Sequence, residues 1–417
     1  MKIAAGIPLR VALDFGNGHT VPVGRLALAD SVAAFGFDAS FRSSGLSINP
    51  YAPMPPDDRA VMAKNPRAFQ TLHGVFADSL PDAWGDVLMR RRAERAGISY
   101  RSLTALDRLA AIGRNGMGAL IYEPEIGLSG GDAAPLDLDA LSADATAVLE
   151  GHAAVLLDQL VQLGGSPGGA RPKILIGLNA QDRVRAGEAG LPAPFEHWLV
   201  KFRAPSDPAD VGRVEAAYAE MARIAGVTIS PTKLLETPNG PGYFATRRFD
   251  RNGNARVHVL SFAGMLDTEW HVPTIDYADA LSLVRRITAR DDDVEHMVRR
   301  MFFNVVAHNR DDHAKQHSFT MDANGVWRLA PAYDLTFANG PGGEHYLSVG
   351  GYGKDIPKAK LLNVAEEQIG TARAADALAR TVAAVADFRS YAKAFEITKE
   401  TAREIERAIA PILNEYK

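Results

Sequence analysis

Apolar positions three and four apart recur at Val211, Val214, Tyr218, Met221 and Ile224, which predicts one amphipathic helix. Just before it, His197 to Phe202 is a short apolar stretch around Lys201, and Ile174 to Leu178 is an unbroken apolar run. Both predict strands. Asp82 to Arg92 opens on acids and closes on arginines, the charge order a helix dipole favours. Leu103 to Ile112 predicts a second helix ended by Gly113, and Gly113 to Leu120 predicts a glycine turn into a strand. The prolines of Asn49 to Pro56 force extended chain. Leu128 to Ala145 reads as a Gly-, Ala- and Asp-rich connector, and His152 to Leu163 as a helical stretch. From Tyr277 onward the pattern is mainly helical, with Asp291, Asp292 and Asp293 at the front of one helix and alanine-rich helices at the end.

Two apolar runs in this half end in polar turns. Phe302 to Ala307 delivers the chain to His308-Asn309-Arg310-Asp311-Asp312-His313-Ala314-Lys315-Gln316-His317, and Ser318-Phe319 follow at once. Trp327 to Leu335 is a second apolar segment carrying a single acid, Asp334. A loop acid, an amide a few residues on, then a strand ending in another acid is the order in which protein kinases set a base and two metal ligands. Phosphoryl transfer asks for positioning and charge neutralisation more than for covalent chemistry. On that template Asp311 is the base that orients a hydroxyl. Gln316 is the amide ligand and Asp334 the main carboxylate ligand of Mg²⁺. Two other readings stay open: a turn that hydrogen-bonds only itself, and a hydrolytic metal site built from His308, Asp311, Asp312, His313 and His317.

Composition narrows the field without deciding it. The 417 residues suffice for two or three domains, and 23% charged with 47% hydrophobic residues is ordinary for a globular chain. A net charge of −4 argues against bulk nucleic-acid binding and leaves room for a local basic patch. There is no cysteine, hence no disulfide framework or thiolate chemistry. No apolar run approaches a membrane span, and Arg10 and Asp14 interrupt the N-terminal segment too soon for a signal peptide. The expectation is a cytoplasmic protein with no membrane contact.

Upstream, Gly164 to Lys173 places Gly164, Gly165, Gly168 and Gly169 in a short loop, with Arg171 and Lys173 adding positive charge. Such a loop can turn successive N–H groups toward an anion, or be a plain surface loop. It is not a Walker A loop, because no Gly-Lys-Ser/Thr follows. Lys201, inside an apolar strand, is either an edge position or a lysine that ties phosphates to a helix acid.

Taken together, these segments resemble the HipA family of serine/threonine kinases. The resemblance rests on Asp311-Asp312-His313-Ala314-Lys315, the Trp327 to Leu335 segment, Ser166 with Gly169, Ala170 and Lys173, the Arg248-Phe249-Asp250-Arg251 run, and Ser79 to Gly85 with the turn at Gly113 to Leu120. One departure is Gln316, where the family usually has Asn.

The resemblance implies a two-lobed, protein-kinase-like α+β fold with an additional N-terminal subdomain and an all-helical C-terminal lobe. The implied division is 1–125, 126–250 and 251–417. It makes Glu215 the partner of Lys201 and places the phosphates of ATP under Ser166, Gly168, Gly169, Ala170 and Lys173. It sets Thr246, Arg247 and Arg248 at an adenine-binding hinge, and His313, Lys315, Gln316 and Asp334 around nucleotide and Mg²⁺. Ser166 becomes an autophosphorylation site. The implied activity is ATP-dependent phosphorylation of a protein serine or threonine by the toxin of a toxin–antitoxin pair, with a small HipB-type DNA-binding antitoxin and only indirect or local contact with DNA. A weakly catalytic kinase-fold module acting as co-repressor is the alternative that Gln316 raises. For the N-terminal subdomain no independent chemistry is expected, only glycines that supply positive φ.

Overall fold

The computed structural model describes residues 7–126, 136–164, 169–186, 190–238 and 240–416. Residues 7–126 build a five-stranded antiparallel sheet in the order Val61–Met62, Val32–Phe37, Thr20–Ala29, Leu9–Asp14, Leu120–Glu123. Alternation sets its buried face: Leu9, Val11 and Leu13 point inward from one strand. The predicted helices appear as Ala83–Arg95 and Ala105–Ile112. Thr104 starts the second with a reciprocal cap, accepting from the Asp107 N–H at 3.1 Å while Asp107 accepts from the Thr104 N–H at 2.8 Å.

A second five-stranded antiparallel sheet runs Val184–Arg185, Lys173–Leu178, Glu196–Lys201, Tyr243–Arg247, Thr232–Leu235. The helix Val211–Ile224 packs on it, and its stripe of Val214, Tyr218 and Met221 is buried, while Ile224 at its end is half exposed. Tyr218 reaches into the third part of the molecule, donating its hydroxyl to the Ala307 carbonyl at 2.9 Å.

The segment read as a connector, Leu128 to Ala145, overlaps a helix, Leu138–Leu149, which corrects that expectation for its described part. Its alanines and acids hid an apolar stripe, Leu138, Leu141, Ala145 and Val148, that buries against the second core, and Asp137 caps its first turn.

The third part is a helical lobe of Tyr277–Thr288, Asp291–Val306, Lys358–Ile369, Thr371–Ala386, Phe388–Ala394 and Lys399–Tyr416. It is not wholly helical, as had been expected. His258–Ser261, Ser318–Met321 and Trp327–Leu329 form a three-stranded sheet, and Ile275–Asp276 pairs in parallel with Leu347–Ser348. The first polar turn runs from the helix Asp291–Val306 to the strand Ser318–Met321, and the segment with Asp334 lies between the strands Trp327–Leu329 and Leu347–Ser348. Among the described residues no helix is long and apolar enough to cross a membrane.

Buried ion pairs lock the N-terminal sheet to the rest. Asp250, fully buried, accepts from Arg248 at 2.8 and 2.9 Å and from the Gly118 N–H at 2.8 Å. Arg251 donates to the carbonyls of Gly118 and Gly116 at 3.0 and 2.9 Å. Gly118 has φ +76, and a Cβ there would sit 2.8 Å from the Val259 nitrogen, so both conformation and close approach require glycine.

Candidate active site

Glu196–Lys201 is the central strand of its sheet, and its last residue, Lys201, meets the helix Val211–Ile224. Glu215, one turn into that helix, accepts from the Lys201 ammonium at 2.6 Å. Asp334 is the ammonium's second carboxylate partner. Burial works against the Lys201 charge, yet Asp334 and Glu215 together raise its pKa well above the ordinary lysine value. The edge-position alternative therefore falls away: Lys201 is 10% exposed and held by two acids.

Asp334 sits just beyond the strand Trp327–Leu329 with φ +56, a conformation that costs a non-glycine residue about 1–3 kcal/mol and collects at functional sites. Its second oxygen accepts from the Gln316 amide at 2.8 Å. Burial opposes its charge, but Lys201 and Lys173 hold the carboxyl far below the usual range. Gln316 also hydrogen-bonds Asp311, so the side chain that is longer than the usual Asn spans both acids. Asp311 itself is half exposed. Partial burial, with Asp334 and Asp312 close by, pushes its carboxyl up to about 7, while Arg171 pulls it down.

The other members of the polar turn separate into distinct roles. Asp312 is buried and structural: it accepts from Tyr277 at 2.9 Å and from the Tyr346 N–H at 2.9 Å, and it pairs with His345 at 2.9 Å. His313 accepts from the Lys315 N–H at 3.2 Å and stands between the rings of Trp270 and Tyr346; burial lowers it to about 4. His308 turns to Asn339 at 3.1 Å, and His317 lies buried beside Arg300. The three histidines do not converge, and among the described residues no three His, Asp or Glu side chains are grouped to hold a metal ion. The histidine-based hydrolytic site has no geometric support.

Of the glycine loop, Ser166 and Gly168 lie outside the described residues. Gly169 and Ala170 lead into the strand Lys173–Leu178. Gly169 has φ +104, and a Cβ there would strike the Lys173 ammonium. Lys173 is buried; that burial and the nearby Lys201 lower it to about 8 against the pull of Asp334. Arg171 clamps Asp207 at 2.9 and 3.1 Å and lies 3.9 Å from Glu215.

The hinge residues are spent elsewhere. Thr246 and Arg247 pair within the sheet, the Arg247 N–H donates to the Pro231 carbonyl at 2.9 Å, and its guanidinium goes to Glu196 at 3.0 Å. Arg248 donates its N–H to the His197 carbonyl at 2.9 Å and its side chain to Asp250. The side chains of Arg247 and Arg248 thus serve the scaffold.

Sequence reasoning missed Asp82. Its Oδ1 accepts from Lys315 at 2.8 Å and its Oδ2 from the Gly169 N–H at 3.1 Å. Its neighbour Trp84 donates its indole N–H to the Lys173 carbonyl at 3.0 Å. The N-terminal subdomain does more than supply glycine turns: Asp82 and Trp84 hydrogen-bond the end of the glycine loop, the strand after it and the polar turn. Asp82 was legible only as a helix-dipole charge, because its partners are 87 and 233 residues away in sequence.

A model of the HipA-like C-terminal domain matches residues 165–407, and a model of the HipA N-terminal domain matches residues 18–123. Among curated proteins the chain is 30% identical over 135 residues to "Putative kinase Y4mE" of Sinorhizobium fredii, covering 29% of this chain and 31% of that protein. The match thus spans about a third of that relative's length. Among solved structures, the Shewanella oneidensis MR-1 toxin–antitoxin complex of HipA, HipB and operator DNA contains a chain of the same fold. The TM-score is 0.71 at 15% identity, over 97% of this chain and 96% of that one. The Helicobacter pylori proinflammatory kinase CtkA overlays 56% of this chain and 88% of its own, with 16% identity and a TM-score of 0.38, too slight to argue from.

Proposed function

The chain belongs to the HipA family, and on that premise we propose that it is an ATP- and Mg²⁺-dependent protein serine/threonine kinase acting as the toxin of a toxin–antitoxin pair. The observation that carries the reading is the joined set Lys201–Glu215 and Lys201–Asp334, with Gln316 linking Asp334 to Asp311. A scaffold has no need of a buried ammonium shared by two carboxylates beside a strained acid and a half-exposed one with a raised pKa.

The residues present fit the implied groups. Lys173, Lys201 and the Gly169–Ala170 backbone would hold the phosphates, with Ser166 and Gly168 completing the loop. Asp334 and the Gln316 oxygen would hold Mg²⁺, and His313 and Lys315 would line the same site. Bound Mg²⁺ supplies charge neutralisation to the phosphates. Asp311, with its carboxyl near 7, accepts a hydrogen bond from the substrate hydroxyl and then takes its proton. Arg171 limits how far that pKa rises. Thr246 to Arg248 would contribute backbone carbonyls at most to adenine. The division 1–125, 126–250, 251–417 is kept as the functional one.

Phosphate on Ser166 is the expected self-modification, and a small HipB-type DNA-binding protein is the expected partner. The test is γ-phosphate transfer from ATP to protein, with phosphoamino-acid analysis of the product. Asp311→Asn should abolish transfer and leave ATP binding close to intact, whereas Asp334→Asn should weaken Mg²⁺-dependent ATP binding. Wild-type transfer in both variants would overturn the kinase reading.

A further inference from the structure

Asp82 stands at the N-cap position of the helix Ala83–Arg95, where a carboxylate ordinarily caps its own helix. It makes no side-chain cap hydrogen bond. Both oxygens are turned outward instead, one to the Lys315 ammonium at 2.8 Å and the other to the Gly169 N–H at 3.1 Å. Those groups belong to the two elements that would enclose nucleotide phosphates: the glycine loop, and the 3₁₀ turn Ala314–Gln316 whose Gln316 holds Asp334.

The backbone that carries the carboxylate is anchored just upstream. Four residues earlier Asp78 accepts from the Ser261 N–H at 2.7 Å and the Ser261 hydroxyl at 2.8 Å, and the Gly74 N–H donates to Asp267 at 2.6 Å. Burial opposes the Asp82 charge, but Lys315, the Gly169 N–H and Lys173 hold the carboxyl below its ordinary value, so it is an anion at neutral pH.

We propose that Asp82 is a positioning residue for phosphoryl transfer, through which the N-terminal subdomain holds Lys315 and the end of the glycine loop in register with each other. The proposal rests on the kinase reading of the same site. Lys315 has a flexible four-carbon stem, and without Asp82 its ammonium keeps only looser restraints among the described residues, such as the face of Trp270 at 5.2 Å and the charge of Asp78. Gly169 would likewise lose the acceptor that orients its N–H. Asp82 touches neither metal nor hydroxyl in this role; it sets where two phosphate-facing groups stand before nucleotide arrives.

The test is a double-mutant cycle on Mg²⁺·ATP affinity, measured by calorimetry with the wild-type chain, Asp82→Ala, Lys315→Met and the double variant, each first shown to unfold cooperatively. The loss of a charge-assisted hydrogen bond predicts that each single change weakens ATP about tenfold, and that the double variant is no weaker than the worse single. A purely structural Asp82 would give losses that multiply. Equal affinity in wild type and Asp82→Ala, or strictly multiplicative losses, overturns the assignment and leaves the kinase reading intact. A wild-type chain that binds no ATP removes the kinase reading and this one with it.

Discussion

Lys173 and Lys201 lie directly opposite each other on adjacent antiparallel strands, so two ammonium groups occupy neighbouring positions on one face of the sheet. Like charges so placed repel. The structure resolves the conflict unequally. Lys201 is paired with Glu215 and Asp334 and its pKa rises, while Lys173 is buried beside it and falls to about 8.

With its pKa lowered to about 8, Lys173 gains or loses its charge close to working pH. Bound phosphates favour its protonated form, so binding Mg²⁺·ATP at pH 8 should take up about half a proton per site. Calorimetry in buffers of different ionisation enthalpy measures this directly. The uptake should vanish in Lys173→Met and shrink at pH 6, where the lysine is already charged.

Asp311 predicts opposite pH signatures for rate and stability. Its carboxyl titrates near 7, and only the ionised form can take a proton, so the transfer rate should fall about tenfold per unit as pH drops below 7. A carboxyl with a raised folded pKa favours the fold while protonated and loses that contribution as pH rises through 7. Asp311→Asn should therefore melt higher than wild type at pH 8, by a smaller margin at pH 5, and level with it only below about pH 4, where the unfolded carboxyl is protonated too. The same melting difference at both pH values would show that Asp311 is not crowded by Asp334 and Asp312.

For Lys201 and Glu215 the bond at 2.6 Å predicts coupling. Lys201→Met should weaken ATP binding or transfer by about ten- to a hundredfold, the range for charge-assisted hydrogen bonds. Combined with Glu215→Gln, the losses should fall short of their product. Full additivity in that cycle would return Lys201 to a structural role.

Asp250 should matter to stability and not to nucleotide. It is fully buried with Arg248 and Arg251, so Asp250→Asn strands buried guanidinium charge and should cost about 3–5 kcal/mol in chemical denaturation. Burial opposes the Asp250 charge, but the two arginines depress its pKa, so its contribution is full at neutral pH and is lost only as pH falls into the acid range. ATP affinity measured on the folded fraction should be unchanged.

The candidate catalytic turn was legible because its parts are local. Asp311 and Gln316 lie between the helix Asp291–Val306 and the strand Ser318–Met321, Asp334 follows the strand Trp327–Leu329, and their order along the chain carries the pattern. Helix stripes such as Val214, Tyr218 and Met221 were legible for the same reason, since periodicity is a property of neighbours. The helix Leu138–Leu149 was not, because an alanine- and acid-rich surface hid a stripe that only a second core completes.

The sequence by itself determined the element order, the strand that carries Lys201, the helix that carries Glu215, and the two turns with their acids. Only the tertiary structure decided which acid each cation meets. Asp334 could be read as a metal ligand, but not as a partner of Lys201, 133 residues earlier. Asp82 could be read as a helix-front charge, but not as the anchor of Lys315 and Gly169. Helix and strand patterns act between residues a few positions apart. Ion pairs across lobes depend on how finished elements dock, and docking is fixed by packing summed over the whole core.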